Sequence, residues 1–330
     1  MARLTLKIIV ILLPLFAVVA GYVWLDPFEV VRRHDRYYGD PRLMYNRDHH
    51  SLEIFSKNHP EQKYDSFVFG SSRSLALACG DWRQHIAPGR PFHFDASAES
   101  IYGISRKVRF LDRQGVTIAN ALVVLDRDSL IATANYDAHL YIKHPGLSGE
   151  SPWTFQKLFF QAFASPEFLA GYAYYRFTNK VPQPFKDYFL DREFVYEPVT
   201  NDIYFASDER QIAEGTFYAK NISAFLGRKR GRNYAAPIIS ARQLEQLAEI
   251  RDIFRRHNTR YRIVVSPIYN QIFMNERDLE ILRELFGADR VHDYSGVNPV
   301  TADYRNFYDV DHLRRHVGAA LLAEIYRNGP

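Results

Sequence analysis

Two short segments far apart in the chain hold the residue types that hydroxyl-nucleophile chemistry needs. One is Phe69-Gly70-Ser71-Ser72-Arg73-Ser74; the other is Phe307-Tyr308-Asp309-Val310-Asp311-His312. A serine hydroxyl keeps its proton near neutral pH. It therefore attacks a carbonyl only with a base within hydrogen-bond reach, and the base needs a third group to orient it. His312 supplies a base, and Asp309, three residues earlier and hence close in space, supplies the orienting acid. Gly70-x-Ser72-x-Ser74 is a degraded Gly-x-Ser-x-Gly turn, with Ser74 at the second glycine. Taken alone, the serines have another reading: Ser71 or Ser72 caps a helix beginning near Arg73.

The elements that must position these groups follow from the hydropathy pattern. Short apolar runs at Ser66–Gly70, Ala121–Leu125, Arg262–Val265 and Arg290–Tyr294 read as buried strands. Helical patterns fall between and after them, at 73–86, 100–114, 241–257, 276–286 and 313–327. Alternating strands and helices predict an α/β fold, a parallel sheet covered on both faces. Reactive groups in such sheets collect outside the carboxyl ends of the strands, where Gly70 and Asp126 fall.

At these residues the chain resembles the SGNH/GDSL hydrolase superfamily, which has a Gly-Asp-Ser block after its first strand and an Asp-x-x-His block near its C-terminus. Here the blocks read Gly70-Ser71-Ser72 and Asp309-Val310-Asp311-His312. Gly-Ser-Ser-Arg is similar to the membrane-anchored branch that includes polysaccharide O-acetyltransferases and the D-alanyl-transfer protein of the teichoic-acid system. The likeness covers 64–130 and 258–328. It implies a three-layer SGNH-type sheet, Ser72 as nucleophile and an acyl-Ser72 intermediate. It also implies serine-dependent O-acyl transfer or ester hydrolysis on a cell-envelope glycan, with an acylated donor and a membrane-bound O-acyltransferase as partner. In the family an oxyanion hole is completed by a second block and by an asparagine in a third. Those blocks align here with Asp95–Ser100 and with Leu125-Asp126-Arg127-Asp128, which puts Ser100 and Arg127 in the oxyanion or substrate positions. The asparagine is absent, and this keeps open a non-catalytic envelope protein that binds glycan or scaffolds a polysaccharide-modifying complex.

The rest of the chain frames that domain. Residues 8–25 are uncharged and apolar, bracketed by Lys7 and Asp26, and eighteen residues suffice for a membrane-spanning helix, which needs about 17–25. Tyr22 and Trp24 suit an interfacial belt. The rival is a cleaved signal peptide, whose apolar region runs only about 7–15 residues, so an uncleaved anchor over 1–25 is expected. The resemblance places the body outside the cytoplasm, on the inner membrane. Residues 26–60, which include His49-His50, are expected to be a juxtamembrane segment, and 61–330 the SGNH-like domain. An aromatic-rich insertion at about 135–235 interrupts it, either a helical pair serving as a lid or a docking surface, or a subdomain packed on the core. With 47% apolar and 24% charged residues the chain is an ordinary globular protein, and a net charge of +4 is too small to argue for nucleic acid. The single cysteine, Cys79, excludes an intramolecular disulfide. No cofactor fingerprint occurs. His312 and His316 have a zinc-compatible spacing but no third ligand nearby.

Overall fold

Five parallel strands carry the molecule: β1 (Ser66–Phe69), β2 (Pro91–His93), β3 (Asn120–Leu125), β4 (Arg260–Val265) and β5 (Val291–Asp293), in the order β2-β1-β3-β4-β5. The computed structural model describes residues 2–181, 188–190, 192–228, 231–327 and 329, with the backbone alone for 2–11. The principal helices are α1 (Ala2–Leu25), α2 (Arg47–Gln62), α3 (Ile101–Arg113), α4 (Pro152–Phe163), α5 (Pro166–Thr178), α6 (Ala241–Arg256), α7 (Glu276–Phe286) and α8 (Arg315–Ile325). Strand alternation divides the core in two. Phe67, Phe69, Ala121, Val123, Ile263 and Val265 face one apolar cluster with α2, α3, α6 and α7. Val68, Leu122, Val124 and Val264 face another with Trp82 and α8. Period-2 side chains buried on both faces give the three layers the strand–helix alternation predicts. The strand order reverses direction between β1 and β3, and a crevice opens there at the carboxyl ends.

Four features depart from the sequence reading. β2 has only three residues and too little pattern to register, yet it is fully buried beside β1. The expected helix at 73–86 is instead a 3₁₀ turn (Ser72–Ser74), a loop and a four-residue helix from Cys79. The Ser74 hydroxyl donates to the Ser71 carbonyl at 2.7 Å, and extended Ala78 restarts the chain. Residues 26–60 are built into the body: Tyr37, Tyr38, Leu43, Tyr45, Leu52 and Phe55 join the main core. His49 and His50, expected at the surface, are buried, with Nε2 of each near a backbone carbonyl, Glu29 and Phe28 respectively. The helix α2 hides from a hydropathy scan because much of its buried face is polar (Arg47, Asp48, His49, His50, Ser51).

In the insertion, α4 and α5 form the expected helical pair. Phe159, Phe163 and Phe168 pack with Phe28 and with Tyr22 of α1. A Cβ on Gly21 would stand 3.5 Å from the Phe163 ring, so α1 and α4 meet closely there. The expected span at 8–25 begins among residues whose side chains lie outside the description. Among the described residues, no helix is long and apolar enough to cross a membrane.

Candidate active site

Gly70 follows β1 directly, and there the chain turns hard against β3. A Cβ at this position would lie 2.9 Å from Val124 Cβ and 3.0 Å from Ser74 Cβ, so only glycine lets the two strands' ends approach. Ser71 then caps the 3₁₀ turn through Arg73 N–H, and Ser72 opens that turn with its hydroxyl toward the crevice. On the far side, Phe307 and Leu313 are both buried and pair as a bridge, closing a tight loop that displays Asp309 and His312. The Asp309 carboxylate accepts the backbone N–H of Asp311 and of His312, each at 3.0 Å, an Asx-type turn that fixes its own side chain.

The two loops meet. His312 Nε2 lies 2.9 Å from Ser72 Oγ, and Nδ1 lies 2.8 and 2.9 Å from the two oxygens of Asp309. With Nδ1–H donating to the carboxylate, Nε2 is left to accept the serine proton. Arg192, from the insertion, donates to Asp309 at 3.1 Å. Burial would raise the Asp309 pKa, but the His312 hydrogen bond, backbone N–H and the Arg192 charge outweigh it and hold the carboxyl well below the usual carboxylate range. An ionised Asp309 holds the imidazole in the Nδ1–H tautomer, and this arrangement can stabilise an imidazolium were His312 to take a proton.

Two supports had no signal in the sequence. Arg73, beside the serine, binds Asp126 at 2.8 Å, Asp128 at 3.0 Å and Asp311 at 2.8 Å. One guanidinium thus ties the serine turn, the end of β3 and the His312 loop together. Behind the turn, Ser74 Oγ lies 2.9 Å from His93 Nε2, and His93 Nδ1 lies 2.9 Å from Asp202. This second Ser–His–Asp chain is fully buried, so it braces the turn from within. Asp202 is the one insertion residue in it, which is why spacing could not reveal it.

Ser100 and Arg127 are placed away from the serine. Ser100 is fully buried; its N–H donates to Glu99 at 2.8 Å and its hydroxyl caps α3 through Gly103. Its N–H is taken by Glu99, and its side chain is buried at the start of α3 and does not line the chamber that holds Ser72. Ser97 is the residue of that loop that reaches the serine's cavity. Its neighbour Ala98 has a left-handed φ of 46°, strain of the kind that sets backbone direction at functional sites. Ser72 and Ser97 both line this cavity, which makes the backbone N–H groups of these two loops the candidate oxyanion donors. The loop is pinned by Arg47 on Asp95 and by buried Lys107 and Lys143 on Glu99. Arg127, expected in an oxyanion or substrate position, lies 4.0 Å from Asp128 and lines a different cavity.

That cavity, about 500 Å³, lies across Arg73 and is lined by Asn233, Asn270, Ser266 and Ser295 with the stacked rings of Tyr234 and Phe273. Ser72 and His312 open instead on a chamber of about 350 Å³. For metal binding, His312 is engaged by Ser72 and Asp309, and His316 is exposed. Among the described residues only Cys79, His93 and Asp202 bring ligand atoms within 4.8 Å of one another. There Asp202 already accepts from His93, Thr200 and the Cys79 N–H, and the Cys79 thiol is pushed up by burial and by Asp202. In comparison with known proteins, the chain matches no family model and no curated protein sequence.

Proposed function

We propose that the protein is a serine-dependent acyl-transfer enzyme of SGNH type, moving an acyl group through acyl-Ser72 to a cell-envelope glycan or, with water as acceptor, hydrolysing the ester. The observation that carries this reading is the continuous Ser72–His312–Asp309 hydrogen-bond chain at the carboxyl end of β1. Ser72 Oγ attacks the donor carbonyl carbon while its proton passes to His312 Nε2. The tetrahedral oxyanion is held by backbone N–H groups at Ser72 and the Ser97–Ala98 loop. The bond to the leaving group then breaks, and His312 returns the proton to it. An acceptor hydroxyl repeats the sequence in reverse. The polar cavity with its Tyr234–Phe273 platform suits that acceptor, since sugar faces stack on aromatic rings and their hydroxyls need amide and hydroxyl partners. Residues 8–25 anchor the body on the outer face of the inner membrane, beside a membrane-bound O-acyltransferase that delivers the acyl group.

A non-catalytic glycan-binding scaffold is the second reading. It is favoured by Asp126, which stands near the family's asparagine but is committed to capping Ser129 and to Arg73. One experiment separates the two. A fluorophosphonate should label the purified full chain in detergent at Ser72, and Ser72→Ala should abolish labelling. An unlabelled, folded protein would leave the scaffold reading.

A further inference from the structure

The chamber that opens on Ser72 is apolar where a glycan would need hydrogen bonds. Its walls come from Tyr38, Tyr45, Phe189, Phe194, Tyr196 and Phe205, with Leu75, Met44 and Ile203 filling between them. The Phe205 ring lies 5.8 Å from the His312 ring and stacks on Tyr308 at 4.5 Å, so the apolar surface continues to the reacting atoms. The charged side chains in the wall are engaged elsewhere, leaving a few hydroxyls such as those of Ser97 and Tyr196. Arg47 donates to Asp95, to Tyr38 Oη at 2.9 Å and to the Asn201 carbonyl at 2.6 Å. Arg192 is held by Asp309 and Asp208. Sugar hydroxyls placed here would lose water and gain few partners, a cost of about 1–3 kcal/mol for each unsatisfied group. Methylenes would gain on every wall.

Size decides which acyl group fits. At about 350 Å³, the half-open chamber has room for about twelve groups of water size at ~30 Å³ each, part of that room lying at its mouth. The two carbons of an acetyl group would leave most of it empty. We infer that the chamber is the acyl-chain site of the acyl-Ser72 intermediate and that it takes a saturated chain of about four to eight carbons rather than acetyl. The inference rests on the serine-acylation reading and adds the identity of the group carried. In the acylation step Ser72 Oγ forms the new ester bond to the chain's carbonyl carbon. The donor's C–O or C–S bond breaks, and the Ser72 proton leaves with the donor through His312. The chain lies along Phe205, Tyr196 and Tyr38, while the acceptor approaches from the polar side across Arg73.

The test uses the full chain in detergent with p-nitrophenyl acetate, butyrate, hexanoate and octanoate. It reads the p-nitrophenolate burst and the intact mass of the acyl-enzyme. Each methylene buried should raise kcat/KM by about fourfold until the chamber is full, so hexanoate should exceed acetate by well over tenfold. Met44 stands at the half-exposed rim of the chamber. Met44→Trp should lower the hexanoate-to-acetate ratio by tenfold, and Met44→Ala should shift the optimum toward octanoate. Because the readout is a ratio within one preparation, partial loss of folded protein does not change it. If acetate acylates Ser72 as fast as hexanoate, and Met44→Trp leaves the ratio unmoved, the chamber does not hold the chain while Ser72 remains a nucleophile. If no ester adds mass at Ser72, the acylation reading falls and takes this inference with it.

Discussion

In the proposed mechanism Ser72, His312 and Asp309 act as one unit, so losses at any of them should not be additive. Asp309→Asn should lower the Ser72 acylation rate by roughly a thousandfold or more, because an amide no longer selects the Nδ1–H tautomer. Pre-steady-state p-nitrophenolate release measures it. Arg192 acts through Asp309. Its hydrogen bond helps hold that carboxylate in place, while His312 and backbone N–H groups also keep it ionised, so Arg192→Leu should lower the Ser72 acylation rate with the pH–rate profile keeping its shape. An acid limb displaced to higher pH would instead mean that the Arg192 charge is what keeps Asp309 ionised. Arg127→Ala should acylate Ser72 at close to the parent rate, since the guanidinium lies in the other cavity. Here alignment and structure part company. A register match at the end of β3 fixes the position of Cα, but the side chain turns into the cavity on the other side of Arg73.

At the level of elements, the site depends on loops held from both faces of the sheet. Helix α8 packs directly on the chain that follows the serine turn, and a Cβ at Gly318 would come within 2.0 Å of the Ala76 carbonyl oxygen. Backbone cannot yield as a flexible side-chain tip does, so Gly318→Ala should cost about 1–3 kcal/mol or more by overpacking. Acylation should fall as well, because the turn carrying Ser72 must shift; urea titration and burst kinetics on one sample report both. Arg73→Leu leaves three carboxylates without their shared partner, of which Asp126 is the most buried. About 3–5 kcal/mol is the usual penalty for breaking a buried pair this way.

Across the whole molecule, burial of titratable groups sets the pH range of stability. Burial disfavours the charged forms of His49, lowered to about 3, and of His139, lowered to about 4; His50 is also lowered, by burial and by His49. Below about pH 6.5 the unfolded chain protonates these rings while the folded chain does not. Stability is therefore full above that pH and falls as pH drops toward 4, by about 1.4 kcal/mol per pH unit for each such histidine. Urea unfolding at pH 7 and pH 5 should show this loss, and His49→Gln should make the slope shallower. A slope unchanged by that substitution would mean that His49 charges freely in the folded state. The buried Asp48, Glu99, Lys107 and Lys143 network behaves differently. Burial alone would raise Asp48, but Lys107 and Lys143 hold it down to about 2, so its contribution is full above the unfolded value near 4 and lost only as pH falls through about 2.

The sequence determined the reagents and the frame. Ser72, Asp309 and His312 are chemically distinctive residues at meaningful spacing, and alternating strand and helix patterns force a parallel sheet with its reactive ends aligned. Those signals are local, resting on periods of two and 3.6 residues and on turns of three or four. The tertiary structure alone decided which charges meet. Arg73 joins residues 126, 128 and 311, and Arg192 reaches 309 from an insertion that carries no period. It also decided that the polar face of α2 is buried and that Ser100 is a cap. Finally, it decided that aromatics scattered from Tyr38 to Phe205 line one chamber beside Ser72. A buried polar residue is affordable only when its partner is in place, and that partner is set by distance in space between segments that the chain itself leaves far apart.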